Sequence, residues 1–242
     1  MSAAPAAVPV LCFPFAGAGA SVFRRCQENA PDAVRVQPVQ LPGREDRFGE
    51  PLQPDVPQQV EGLLPQMLDL IGSARTVALF GHSFGAVLAY EAAHRLSALD
   101  GLVVAQVLVS GSPGPWTKRE DRASGLSDEE FLARVREFAG YAHPALEHPE
   151  LREMLLPTLR ADVEMHEAYL APSDRPLDAP ITSIRGVDDE LVTPEQAAEW
   201  AVATTRGCRL VDLPGNHMYF VDSPVELVAL MAEVLSGEPV RG

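Results

Sequence analysis

One stretch constrains this chain more than any other: Thr76-Val77-Ala78-Leu79-Phe80-Gly81-His82-Ser83-Phe84-Gly85-Ala86-Val87-Leu88-Ala89-Tyr90. A short apolar strand pattern runs into a tight Gly-x-Ser-x-Gly turn, and an alanine-rich helical pattern follows. Strand, sharp turn and helix in direct succession are the layout of a nucleophile elbow. The central residue of such a turn sits in strained backbone, and Gly81 and Gly85 leave room where a Cβ would collide. The Ser83 hydroxyl is then lifted clear of the sheet, at the start of a helix whose N–H groups favour negative charge. Without its flanks the pentapeptide would read as a glycine-rich turn with a capping serine. The strand before it and the helix after it select the elbow.

Around this stretch strands and helices alternate. Val8 to Phe13 is a β-type run, followed by the small-residue loop Pro14-Phe15-Ala16-Gly17-Ala18-Gly19-Ala20-Ser21. A helix from about Ser21 to Asn29 leads into a strand from Ala33 to Val39. Val56, Val60, Leu63, Leu64, Met67, Leu68 and Ile71 recur at helical spacing. Strand 76–80 and a helix to about Leu99 precede another apolar strand, Leu102 to Ser110. Such strands, buried on both faces, predict a mostly parallel sheet with helices on either side.

The rhythm breaks between Gly114 and about Asp178, where only helical patterns occur: Ser127 to Gly140, Pro149 to Leu156 and Thr158 to Leu170. Ser127-Asp128-Glu129-Glu130 is a capping box at the first of these. A helical block inside an α/β sheet is expected to form a lid over a site. Alternation then resumes with strand Ile181 to Arg185, helix Pro194 to Ala203, strand Cys208 to Leu213 and a last helix, Ser223 to Ser236. Residues 1–242 thus read as a single domain with a helical lid insertion at about 114–178.

A formal charge of −15 argues against general binding to nucleic acid or an anionic membrane, both of which need a basic face. Cys12, Cys26 and Cys208 are odd in number and widely spaced, which fits a reducing compartment better than disulfides or zinc. The first residues carry neither a basic n-region nor a long apolar run, so no signal peptide is read and the cytoplasm is expected. No metal or redox cofactor is called for, and the chain is expected to act as a monomer.

A serine hydroxyl needs a base within hydrogen-bond reach, itself oriented by a third group. On the α/β-hydrolase fold the chain order is Ser, then Asp or Glu, then His, each in a loop after a strand. Ser83, the Asp188/Asp189 pair and His217 satisfy that order. Among six histidines, His82 adjoins the serine but should point away from it, and His94 should be packing or surface. His143, His148 and His166 belong to the lid and lack a strand-end support. Only His217 follows a strand directly, in Pro214-Gly215-Asn216-His217. The spacing Gly-x-x-Asp places the acid at Asp189, with Asp188 a solvated neighbour. The oxyanion hole needs two backbone N–H groups: that of Phe84, and one from Phe15-Ala16-Gly17, for which Ala16 is the choice over Phe15.

With these residues in place, the chain resembles the type II thioesterases that accompany modular polyketide and non-ribosomal peptide synthetases. The resemblance rests on Phe13-Pro14-Phe15-Ala16-Gly17, Gln40-Leu41-Pro42-Gly43-Arg44, Arg47-Phe48-Gly49-Glu50 and the elbow. It continues through Leu155-Leu156-Pro157-Thr158-Leu159-Arg160-Ala161-Asp162, Tyr169, Gly186 to Val192, Trp200 and Gly215 to Phe220. Two departures stand out: Asn216 where a second glycine is usual, and Met218-Tyr219 in place of a phenylalanine pair. The resemblance implies a serine thioesterase that clears acyl groups from the phosphopantetheine thiol of acyl or peptidyl carrier proteins. Carrier proteins are commonly acidic, so Arg24, Arg25, Arg44, Arg47, Lys118, Arg119 and Arg122 are candidates for a local docking patch. Rival readings are a carboxylesterase or lipase, a fatty-acid acyl-carrier thioesterase, and a catalytically silent carrier-binding protein.

Overall fold

The computed structural model describes residues 7–118, 122–139, 144–172 and 174–236. Six strands form one sheet: β1 (Val8–Phe13), β2 (Val34–Pro38), β3 (Thr76–His82), β4 (Val103–Ser110), β5 (Ile181–Gly186) and β6 (Cys208–Leu213). Their order is β2-β1-β3-β4-β5-β6, and every neighbouring pair runs parallel. All strands therefore end on the same side, which is where loop-borne side chains from β1, β3, β5 and β6 can meet.

The helices are α1 (Arg24–Asn29), α2 (Val56–Ile71), α3 (Phe84–Ser97), α4 (Asp128–Ala139), α5 (Pro149–Ala168), α6 (Pro194–Ala198), α7 (Tyr219–Asp222) and α8 (Pro224–Ser236). Successive strand residues point to opposite faces, so each strand feeds two cores. Leu11, Phe13, Val77, Leu79, Val107 and Val109 pack with α2, α3 and the fully buried Trp200. Val10, Cys12, Ala78, Phe80 and Leu108 pack with Phe23, α1 and α8. This is the period-two pattern of a sheet covered on both faces. A third, smaller apolar cluster lies apart from both: Ala123, Phe131, Leu132, Leu146, Leu156 and Leu159.

Most boundaries match the sequence reading within two residues, and the informative differences lie in the helices. Pro149–Ala168 is one helix, where two were expected with a break at Pro157. Proline there removes one N–H, but Leu156, Thr158 and Leu159 are all buried, and this anchoring offsets a single lost helical hydrogen bond. The last expected helix, Ser223 to Ser236, is α8, and a short helix that the sequence reading did not include, α7, precedes it. Pro194 to Ala203 is α6 followed by a 3-10 turn, Glu199–Ala203. The capping box holds: Glu130 N donates to Ser127 Oγ at 3.4 Å and Ser127 N donates to the Glu130 carboxylate at 3.1 Å.

Candidate active site

The site is assembled at the C-terminal ends of the strands. β3 ends at His82, and Ser83 follows with φ +53° and ψ −114° before α3 begins. Left-handed backbone at a non-glycine residue costs of order 1–3 kcal/mol. The sheet holds it through Ser83 N, which donates to Ser110 O at 2.7 Å. The two elbow glycines are required by close approach. A Cβ on Gly81 would lie 1.9 Å from Gly85 O, and one on Gly85 would lie 2.1 Å from Phe13 O. The turn can thus pack against itself and against the end of β1 only with glycine at both positions.

After β5 the chain turns sharply, and Asp189 is buried while Asp188 is exposed. One Asp189 oxygen accepts from Leu191 N at 2.8 Å and Val192 N at 3.1 Å; the other lies 2.9 Å from His217 Nδ1. A carboxylate can only accept, so Nδ1 carries the proton and Nε2 of His217 presents a lone pair. Burial raises the Asp189 carboxyl, but the hydrogen bond and charge of His217 and the two N–H groups outweigh it, and the net shift is downward. The loops after β5 and β6 meet closely: a Cβ on Gly186 would lie 2.2 Å from Asn216 O. Asn216 Oδ1 accepts from Met218 N at 2.9 Å, fixing the turn that carries His217.

Ser83 and His217 both line a cavity of about 540 Å³. Phe15 and Ala16 line it from the loop after β1, Leu159, Val163 and His166 from α5, and Glu190, Val192 and Gln196 from the far side. Phe15, Ala16, Gly17 and Ala18 form a β-turn in which Ala18 N donates to Phe15 O at 3.0 Å and Gly17 has φ +77°. Phe84, the first residue of α3, is fully buried. Among the described residues no group of three or more His, Cys, Asp or Glu side chains could hold a metal ion, and no helix is long and apolar enough to cross a membrane.

His82 is not among the residues that line the cavity; its ring packs tilted against His217, with centroids 4.7 Å apart. Its Nδ1 lies 2.9 Å from Ser110 Oγ, which in turn lies 2.9 Å from Tyr219 OH. Burial, helped by the neighbouring His217, pushes the His82 imidazole well below its usual range and keeps it neutral. Sequence reasoning missed this contact because the two histidines come from different strand ends. The one signal was Tyr219, a hydroxyl where an apolar ring is usual. His94 packs edge-on against Tyr90, as expected. His148 is exposed at the start of α5, and His143 lies outside the described residues.

Arg44 is the clear correction. It was grouped with the docking arginines, yet it is buried and paired with Asp162 of α5 in a bidentate ion pair at 2.5 and 2.9 Å. A side chain committed in this way cannot meet a partner protein. Arg47 is largely taken up by Glu50 at 2.5 Å, whereas Arg24, Arg25, Lys118 and Arg122 are exposed; Arg119 lies outside the described residues.

A strained serine at a strand tip, a buried carboxylate–imidazole pair and a shared cavity on a parallel, doubly covered sheet define a serine hydrolase of the α/β-hydrolase fold. The chain belongs to the thioesterase domain family, which matches residues 8–233, and is a thioester hydrolase of the serine type. A probable cadicidin biosynthesis thioesterase of Streptomyces griseus is 37% identical over 88% of this chain, which spans 58% of that protein's length. The gramicidin S biosynthesis protein GrsT of Aneurinibacillus migulanus is 31% identical over 93% of this chain and 88% of its own. The solved structure of the type II thioesterase BorB from the borrelidin biosynthetic cluster superposes with a TM-score of 0.84. It is 33% identical, and the match covers 97% of this chain and 95% of that one.

Proposed function

We propose that this chain hydrolyses acyl groups from the phosphopantetheine thiol of acyl or peptidyl carrier proteins, in an editing role beside a polyketide or non-ribosomal peptide synthase. Ser83 is the nucleophile, His217 the base and Asp189 the residue that orients it. The observation that carries the reading is the buried 2.9 Å contact between His217 and Asp189, on a cavity that also exposes Ser83. Relatives named for antibiotic biosynthesis support the pathway class.

Ser83 Oγ attacks the thioester carbonyl as His217 Nε2 takes its proton. Negative charge on the carbonyl oxygen rests on the N–H groups of Phe84 and Ala16. As the tetrahedral intermediate collapses the C–S bond breaks, and the pantetheine sulfur, whose thiol pKa is about 8.5, leaves with the proton that His217 took from Ser83. Water activated by His217 then releases the acid from acyl-Ser83, and Ser83 regains its proton. The segment between β4 and β5 serves as a lid: Val135, Leu159 and Val163 give the acyl chain an apolar wall.

The test loads one acyl group on a carrier protein and measures release by the wild type and by Ser83→Ala, beside an oxygen ester of the same acyl group. Fast release of the thioester, lost in the variant, is expected. A preference for the oxygen ester would identify an esterase, and undiminished release by Ser83→Ala would remove the mechanism.

A further inference from the structure

The Arg44–Asp162 pair does more than join a loop to α5. Both carboxylate oxygens of Asp162 accept from the Arg44 guanidinium, and one of them also accepts from Gly17 N at 2.8 Å. That backbone N–H belongs to the turn carrying Ala16, the residue whose own N–H is read as an oxyanion donor. A peptide unit is planar, so each of the two units flanking Ala16 moves as a body. The preceding unit is held because Phe15 O accepts from Ala18 N. The following unit is held because its N–H, that of Gly17, ends on Asp162. Both backbone torsions of Ala16 are thereby set, and the direction of its N–H with them.

The rest of the loop is held from one side by residues 40–45. Ala20 N donates to Gln40 Oε1 at 3.0 Å, Ser21 N donates to the Glu45 carboxylate at 3.3 Å, and Arg44 reaches Ala18 O at 3.4 Å. Glu45 achieves this with φ +47°, a second strained non-glycine residue beside Ser83. Arg44 is itself fixed by Pro42 O at 3.0 Å. Among the described hydrogen bonds that hold this loop, the one at Gly17 comes from α5. Leu159, one helical turn before Asp162, packs so closely on the same loop that a Cβ on Gly17 would lie 2.9 Å from its Cδ1.

Resting on the reading of Ala16 as an oxyanion donor, we propose that Asp162, aligned by Arg44, is a positioning residue for the oxyanion hole. The hole is complete only when α5 is docked, so lid placement and transition-state stabilisation are one event. A buried ion pair adds little stability over apolar residues of the same volume, so its weight falls on geometry.

Asp162→Ala and Asp162→Asn separate this from a merely structural contact. The substrate is an acyl-pantetheine thioester, which needs no carrier docking. Two further probes carry the same acyl group: a trifluoromethyl ketone, which forms a tetrahedral adduct with the serine, and an unreactive thioether. Removing an oxyanion donor outright costs about 10²–10³-fold, so a displaced one in Asp162→Ala should lower kcat roughly 10–100-fold. Affinity for the ketone should fall by a similar factor, while affinity for the thioether stays within about twofold. Asp162→Asn keeps the shape and one acceptor for Gly17 N, and should fall between Asp162→Ala and the wild type. Unchanged ketone affinity, or thioether affinity falling in step with kcat, would overturn the proposal. If Asp162→Ala does not fold, Asp162→Asn decides alone, by ketone affinity weakened more than thioether affinity. A wild type that the ketone fails to inhibit would instead remove the serine mechanism itself.

Discussion

The two walls of the cavity are held by different forces. The wall of Ser83, Asp189 and His217 stands on strand ends of a parallel sheet with a large apolar core on each face. Its loops touch backbone to backbone, at Gly81 against Gly85 and at Gly186 against Asn216. The opposite wall, from α5, sends Met165 into the main core but otherwise rests on a small apolar cluster and is tied down by polar contacts. Thr158 Oγ1 donates to Gly43 O at 3.0 Å, Asp162 takes Arg44 and Gly17, and the Glu167 carboxylate accepts from Ala123 N and Ser124 N. Apolar burial is non-directional and large in sum, whereas each hydrogen bond adds only about 1 kcal/mol net. The proposed reacting groups thus sit on the part of the molecule that is costliest to deform. The part proposed to meet the acyl chain is attached by contacts that can be exchanged one at a time.

If that contrast is right, substitutions in the first wall should abolish chemistry and apolar substitutions in the second should redirect it, with Asp162 set apart because it reaches the turn that carries Ala16. The largest effect is expected for Ser83→Ala, a loss of turnover of about 10⁵–10⁶-fold. Thermal melting should show a fold as stable as the wild type, since alanine occupies φ +53° no more easily than serine does. Asp189→Asn comes next, at roughly 10³–10⁴-fold in kcat, because an amide can hold His217 in the wrong tautomer. Burst kinetics and KM on the same thioester would check it; a loss carried by KM alone would break the comparison.

On the lid side, Val135→Ala and Val163→Ala remove wall without touching the reacting groups. One missing methylene in a hydrophobic pocket is worth about 10–200-fold in discrimination. The ratio of kcat/KM between a long and a short acyl group should therefore move by roughly tenfold, with kcat on the better substrate within a few-fold of the wild type. Equal losses on every acyl length would mean that these apolar side chains serve the chemistry rather than the acyl pocket.

The same contrast explains what the sequence could convey. β1, α2, β3 and β6 follow from local periodicity, and the elbow from five adjacent residues. The pairing of His217 with Asp189 was legible because both follow a strand of the same parallel sheet, whose topology brings strand ends together. Arg44 was misread because its partner is 118 positions away on a helix whose docking no local pattern records. An arginine in a charged loop looks solvated until the carboxylate that buries it is known. The break expected at Pro157 failed likewise: residue preference pointed one way and buried neighbours on either side the other. Topology is written in periodicity, and lid placement is written in single polar pairs.

The smallest effect tests how firmly the first wall holds its own buried imidazole. His82 is fully buried between His217, Ser110 and aromatic rings, and burial keeps its pKa well below the usual value. In the unfolded chain the same side chain binds a proton below about pH 6.5. The folded pKa is the lower of the two, so the stability contribution is fully present above about pH 6.5. It is lost as pH falls from there towards the folded value, because only the unfolded state takes up the proton. For one such group the slope is at most about 1.4 kcal/mol per pH unit. His82→Gln removes the titration while keeping a polar group near Ser110 Oγ. Urea unfolding at pH 7, 6 and 5 should show the wild type losing about 1–2 kcal/mol more than the variant over that range. His94, also shifted down by burial, remains in both proteins and cancels in the difference. Parallel pH dependences would mean that His82 finds a proton partner in the folded state, and that the strand-end wall is looser than its packing implies.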